Sequence, residues 1–360
     1  MKKILALSLA LVMSLGSLAG CGQTGSSGTA SSSGSSTSGS ASASGSTSQP
    51  AAPANAIVVK FGNAGAIGEP AAETCQNFCD AVNEKLGGRY YFEFYPAEQL
   101  GNETTMLENL QVGLQEGVMT ALDSLATYNA DLNILSMAFA FDSPDAMLAY
   151  LDSDLGSSIW KNLDDQGIHV VNYKFHKNPR IFFCKWAINS PADMVGMKYR
   201  IPNLPIFEKN AKAMGATPVV VAWSEYPFAL MQGVVDGGEC AKEAYRSAGL
   251  YESAKYVAEV NYAYPMEQMS FSTQFWNSLS AEDQAIIEEC ATQAAEEHTA
   301  KIAAQWEKDK AFLTSEGGVT FCDIDRQAFI DAAAPLGKTL QDEGFFATPS
   351  LYDLTRQFNT

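Results

Sequence analysis

From residue 56 onward, apolar positions recur at two alternating periods. Residues 56–62 form a short apolar run ending in a glycine-rich loop, 63–68, and read as a strand. Helical spacing follows over 70–86 and is closed by Gly87-Gly88. Residues 89–95 alternate aromatic and polar side chains, the period of a strand. Residues 103–115 return to helical spacing, with Met106, Leu107, Leu110 and Leu114 on one face. A short buried strand, 118–122, then ends at Asp123-Ser124. Strands alternating with helices predict an α/β domain with a largely parallel sheet.

The pattern then repeats. Residues 132–141 are apolar and lead to helices over 144–151 and 156–166, a strand over 168–174, and a second strand over 176–184 with Arg180 near its start. The stretch 187–239 reads strand, helix, strand, helix, strand. Arg200 stands near the end of 197–203, Trp223 ends 218–223, a helix covers 225–232, and 234–239 is a Gly/Asp-rich turn into the last strand. Residues 241–257 read as helical and 260–272 as mixed and strand-like. A long helix over 280–312 opens on Ser280, with acids in its first turn. The tail, 317–360, holds one more strand and helix. Two similar α/β halves result, with the chain crossing between them near 175–180 and 260–270. Ligands of open α/β sheets bind at strand ends, which makes Asp123, Arg200, Trp223 and Glu239 candidates.

Ahead of this body the pattern disappears. Lys2 and Lys3 precede an apolar run, and Leu18-Ala19-Gly20-Cys21 follows it. That is a secretory signal over 1–20, and the last four residues look like a lipobox, which implies acylation of Cys21. Residues 22–56 are nearly all Ser, Gly, Ala and Thr without charge, and a tract with nothing to bury remains a flexible spacer. Its length gives a root-mean-square span of about 30 Å.

Charge narrows the class. Without Lys2 and Lys3, 21 bases face all 41 acids, a formal charge of −20. That excludes nucleic acid as a partner, since its backbone requires a basic surface. The six cysteines after Cys21 are few and scattered for an exported body of this size, so they read as buried or free thiols and not as a disulfide framework. Cys75 and Cys79 share a helix, but no second ligand pair stands near them. Neither a Gly-x-Ser-x-Gly elbow, a zinc signature nor a phosphate loop occurs. Of three histidines, His169 reads as buried in a strand and His298 as solvated on the long helix. A Cys240–His176 nucleophile pair is the only catalytic arrangement that residue types suggest.

Arg200 is the leading candidate for chemistry. A guanidinium matches a carboxylate through two parallel hydrogen bonds and keeps its charge. Arg180, also in a strand, could converge on the same cleft. Trp223 reads either as core or as a wall against a ligand's carbon skeleton. Asn203, Asp123, Ser124, Glu239 and Cys240 supply donors and acceptors at neighbouring strand ends.

These residues also carry a resemblance. Gly196-Met197-Lys198-Tyr199-Arg200-Ile201-Pro202-Asn203, Met214-Gly215-Ala216-Thr217-Pro218 and Ala229-Leu230-Met231-Gln232-Gly233-Val234-Val235-Asp236-Gly237 resemble the DctP/SiaP-type solute receptors of TRAP (tripartite ATP-independent periplasmic) transporters. Phe94-Tyr95-Pro96, Gln99-Leu100-Gly101 and Trp276 with Leu279-Ser280-Ala281-Glu282-Asp283 support it, in order, over about 57–345. The resemblance implies a two-domain periplasmic-binding-protein-like α/β fold with a ligand cleft and a long connecting helix. The expected domains are 57–177 plus 266–305, and 178–265 plus 306–345. It implies Arg200 as carboxylate clamp with Arg180 assisting, Asn203 bonding ligand, Trp223 packing on it, and Asp123-Ser124 as a contact from the first domain. The expected protein is a lipid-anchored, monomeric receptor outside the cell membrane. It binds a sugar acid, dicarboxylate, or hydroxy or keto acid, hands it to membrane permease subunits, and needs no cofactor. A sensor or the receptor of another import system is the alternative within this class, and a surface enzyme using Cys240 the alternative outside it. One departure stands out: the family has Asn after the Asp-Gly-x-Glu turn, where this chain has Glu239-Cys240.

Overall fold

The computed structural model describes residues 52–359, so the signal, the lipobox and most of the spacer lie outside the described residues. In chain order the strands are β1 (Ile57–Asn63), β2 (Tyr90–Tyr95), β3 (Gly117–Ala121), β4 (Ile168–His176), β5 (Arg180–Cys184) and β6 (Lys198–Ile201). They continue with β7 (Thr217–Val220), β8 (Gly237–Ala241), β9 (Tyr256–Ala258), β10 (Met266–Ser272) and β11 (Thr320–Phe321). Among the described residues they form two sheets, ordered β2-β1-β3-β10-β4 and β11-β9-β5-β8-β6-β7. β1 runs parallel to β2 and β3, and β6 parallel to β7 and β8, because helices return the chain between them. β10 pairs antiparallel with both β3 and β4. A late segment of the chain is thereby sewn into the first sheet.

The chain passes between the lobes on two adjacent segments. They are held together where Lys177 N–H donates to the Pro265 carbonyl at 3.1 Å and Arg180 N–H to Ala263 at 3.0 Å. A third tie is the helix Ala281–Ser315, 35 residues and about 52 Å long at 1.5 Å per residue. Ser280 caps it by accepting from the Asp283 N–H. Its buried face changes partner along its length. Ile287, Cys290, Ala291, Ala294 and Ala295 join a core with Phe61, Phe78, Phe92 and Phe271, whereas Trp306 and Leu313 join the core of Phe183, Tyr226 and Tyr245.

Several expectations need correction. Residues 241–257 are not one helix. A helix Lys242–Ser247 ends at Gly249, whose φ of +67° breaks the helical path, and β9 then pairs antiparallel with β5. The helix expected to reach 115 spans Glu103–Gln111, because Gly113 turns at φ +74° and leaves Leu114 exposed. His298 is buried, not solvated, and His169 is half-buried, stacked on Trp276 with ring centroids 4.5 Å apart. All six cysteines among the described residues are free, and Cys75, Cys79, Cys184, Cys240 and Cys290 are buried. Among the described residues no helix is long and apolar enough to cross a membrane.

Candidate functional site: a charged cleft with one unpaired arginine

The two sheets present strand ends to a common cleft enclosing ≈ 700 Å³, part of it continuous with solvent. Arg200 enters it from β6, between β7 and β8. The residue is only 5% exposed. Its Nε–H donates to the Val221 carbonyl at 2.9 Å, and its guanidinium carbon lies 4.7 Å from the Tyr226 ring centroid and 5.6 Å from that of Trp223. The glycine at 238 permits this packing, since a Cβ there would stand 2.2 Å from the Tyr226 hydroxyl and 3.0 Å from the Arg200 carbonyl. Among the described residues no carboxylate forms an ion pair with Arg200, although burial without a partner pushes its pKa down. The group keeps its proton, because guanidinium remains charged even when desolvated. Its terminal N–H groups are left for something that enters the cleft.

The other cations are already engaged. Arg180, at the start of β5, donates to Glu239 Oε2 at 2.6 Å and to Asp123 Oδ2 at 3.2 Å. Glu239 also accepts from the Tyr262 hydroxyl at 3.2 Å, and Asp123 from Ser136 Oγ. Lys177 is paired with Glu267. Burial opposes the charge of both Arg180 and Lys177, but the carboxylates around each prevail and raise its pKa.

Facing Arg200 across the cleft are two further acids. Glu103 opens its helix behind the cap Asn102; its two oxygens accept from Ala121 N–H and Ser124 Oγ, each at 3.0 Å. Burial, with Glu267 and Asp123 nearby, pushes its carboxyl up to about 7. Glu69 stands just before the helix Pro70–Lys85 and accepts from Ala66 N–H at 2.9 Å. It also accepts from Trp223 Nε1–H at 3.2 Å, a bond that spans the cleft from one lobe to the other. Ser224 Oγ and Glu98 make a second such bond.

Of the sequence-predicted residues, Arg200, Arg180, Trp223, Asp123, Ser124 and Cys240 line the cleft. Asn203 does not: the chain bends after β6 so that its neighbours Pro202 and Leu204 face inward and Asn203 faces solvent. Glu239 is fully buried behind Arg180 and does not reach the cleft wall. Sequence reasoning missed Glu69, Glu103, Lys177 and Glu267. Glu69 and Glu103 stand at helix starts, where acids are common for the helix dipole alone, so their type carries no signal; a charge in the buried strand at Glu267 is the one readable sign. Cys240 and His176 share no hydrogen bond among the described contacts. Burial pushes the Cys240 thiol well up, away from the thiolate that nucleophilic chemistry needs.

The family model for bacterial extracellular solute-binding protein, family 7, matches residues 61–343. The chain belongs to this family. A solute-binding protein of Roseobacter denitrificans is 29% identical over 257 residues, 71% of this chain and 78% of that protein. The sialic acid-binding periplasmic protein SiaP of Vibrio cholerae is 25% identical over 288 residues, 79% of this chain and 88% of that one. The crystal structure of a TRAP periplasmic solute-binding protein from Sulfitobacter sp. NAS-14.1 with bound β-D-galacturonate has a TM-score of 0.77 at 25% identity. It covers 84% of this chain and 99% of that chain. The two-domain α/β fold with its long helix is therefore shared with family 7 receptors, which bind solutes outside the cytoplasm and are not enzymes.

Proposed function

We propose that this family 7 receptor captures a small organic carboxylate on Arg200 and delivers it to the membrane permease subunits of a TRAP system. The observation that carries the reading is the buried guanidinium without an acidic partner. A carboxylate entering the cleft would supply the two acceptors that the protein withholds. Trp223 and Tyr226 hold the guanidinium flat and offer a wall to the ligand's carbons. Arg180 does not clamp directly in this reading; it fixes Asp123 and Glu239 and so shapes the far wall. The moving bodies are residues 57–177 with 266–305 against 178–265 with 306–345, closing as a hinge around the ligand. Cys21 carries the lipid that keeps a monomeric receptor at the membrane, and replacing it with Ser should release the protein into the medium.

The test is a thermal-shift and calorimetric comparison of the receptor with R200A, using D-galacturonate, L-galactonate and succinate as probes. Any ligand present at about 100 times its Kd should stabilise the wild type by about 2.7 kcal/mol. Two charge-assisted hydrogen bonds are each worth about 1.5–3 kcal/mol, so R200A should weaken binding by at least about a hundredfold. Unchanged binding by R200A would overturn the clamp.

A further inference from the structure

The charges of the cleft are unequal at its two poles. One pole holds Arg200, a cation with no acidic partner among the described residues. The other holds Glu69 and Glu103, with Asp123 and Glu267 beside them, and the two cations there are already paired with acids. A second carboxylate on the ligand would meet no free cation among the described residues of that wall. A hydroxyl would meet acceptors, because each oxygen of Glu103 accepts one protein hydrogen bond and has a second lone pair to offer.

We propose that Glu103 determines which class of carboxylate this receptor takes: it accepts a hydroxyl of a polyhydroxylated monocarboxylate, an aldonate or uronate, and excludes a ligand bearing a second carboxylate at that end. The proposal rests on Arg200 as the site of the first carboxylate. Glu103 is suited to the task by position. It begins its helix, and its carboxyl is held in place by the backbone of β3 and by Ser124. The charged groups that face it are Glu267 from β10, Asp123 from the turn after β3, and Arg200 across the cleft. Burial and the two acids favour its neutral form, which brings its titration to about 7. The exclusion is then itself a function of pH. Above that value Glu103 is anionic and repels a second carboxylate. Below it the carboxyl is neutral and can donate a hydrogen bond instead, so the repulsion fades. Binding of any anion to Arg200 further favours the protonated form, so the complex takes up a proton near neutrality and affinity declines as pH rises through that range.

The experiment compares each aldonate with the aldarate that differs only by oxidation of its terminal CH2OH, galactonate with galactarate and gluconate with glucarate. Titration calorimetry on the full-length receptor is run at about pH 6 and about pH 8. Two like charges in a half-buried site should separate the pair by about tenfold or more at the higher pH. The ratio should shrink at the lower pH. E103Q should bring the ratio at high pH towards parity and remove its pH dependence, whereas E103D, which keeps the charge, should retain both. The inference is overturned if wild type binds the aldarate as tightly at high pH, if the ratio is the same at both pH values, or if E103Q leaves it unchanged. It is also overturned if no aldonate or uronate binds while a diacid does. Should E103Q not fold, the wild-type ratio at the two pH values decides alone. The two failures are distinct: equal binding of both acids, lost in R200A, rejects Glu103 as the filter and leaves the clamp standing.

Discussion

His298 makes a quantitative prediction about acid stability. Thr74 Oγ1 donates to the Pro70 carbonyl at 2.9 Å and so has no proton left for His298. With the hydroxyl proton on that carbonyl, the 2.8 Å contact between Thr74 Oγ1 and His298 Nδ1 is donated by the ring, an assignment that puts the imidazole proton on Nδ1 and leaves Nε2 bare. Nε2 is buried without a protein partner, and the Phe175 ring stands edge-on at 5.9 Å. Protonating Nε2 would bury a charge with no acceptor, with Lys177 and Lys301 adding repulsion. Burial first, and then these cations, bring the pKa from 6.5 down to about 3. The sign follows from linkage. Between those two values the unfolded chain binds a proton that the folded chain refuses, so stability is lost as pH falls below 6.5. By about pH 4.5 the loss is two units, or about 3 kcal/mol, and a body of this size should show it as a Tm difference of about 5 °C. The perturbation is H298Q, which cannot titrate. The assay is urea unfolding of wild type and variant at about pH 7 and about pH 4.5. At neutral pH the variant should be the less stable, having lost the ring contact with Phe175; on acidification it should gain about 3 kcal/mol relative to wild type. Titration of the acids common to both proteins cancels in that difference. Parallel stability curves, or a His298 ring that titrates near 6.5 by NMR, would refute the argument.

Two further outcomes follow from the cleft. R180M should destabilise the protein by about 3–5 kcal/mol in denaturant unfolding, because it strands the buried Glu239 and Asp123; R200A, which strands no acid, should unfold near wild type, and equal losses would refute the division of labour between the two arginines. W223F keeps an aromatic ring, though a smaller one, but removes the bond from Nε1 to Glu69 across the cleft. Ligand affinity should fall by about threefold to tenfold, the worth of one hydrogen bond, with a more open ligand-free particle in small-angle scattering; unchanged scattering and affinity would show that this bond does not hold the lobes together.

The candidate site was partly readable because strand ends are readable. Arg200 and Asp123 could be placed from an apolar run and the polar residue that ends it, Arg180 from the run it opens, and Trp223 from the run it closes. Asn203 was misplaced for the same reason: a strand end names a neighbourhood, but which of two successive residues faces inward depends on a bend that the apolar pattern does not encode. Residues 241–257 misled differently. Their composition suits a helix, but Gly249 and the open edge of β5 divert the last part into a strand.

The sequence by itself determined the class of molecule. Period-two and helical patterns depend on local burial, so they predict alternating strands and helices, and the run around Arg200 carries the family 7 resemblance. The role of each charge was decided only by tertiary structure. Arg180 and Arg200 look equivalent along the chain, one at the start of a strand and one at the end. Among the described residues, folding brings Glu239 and Asp123, from different segments, onto Arg180 and brings no acid onto Arg200. Whether a buried cation is satisfied depends on what long-range packing places within hydrogen-bond distance, and that one difference makes Arg180 part of the wall and leaves Arg200 facing the cleft.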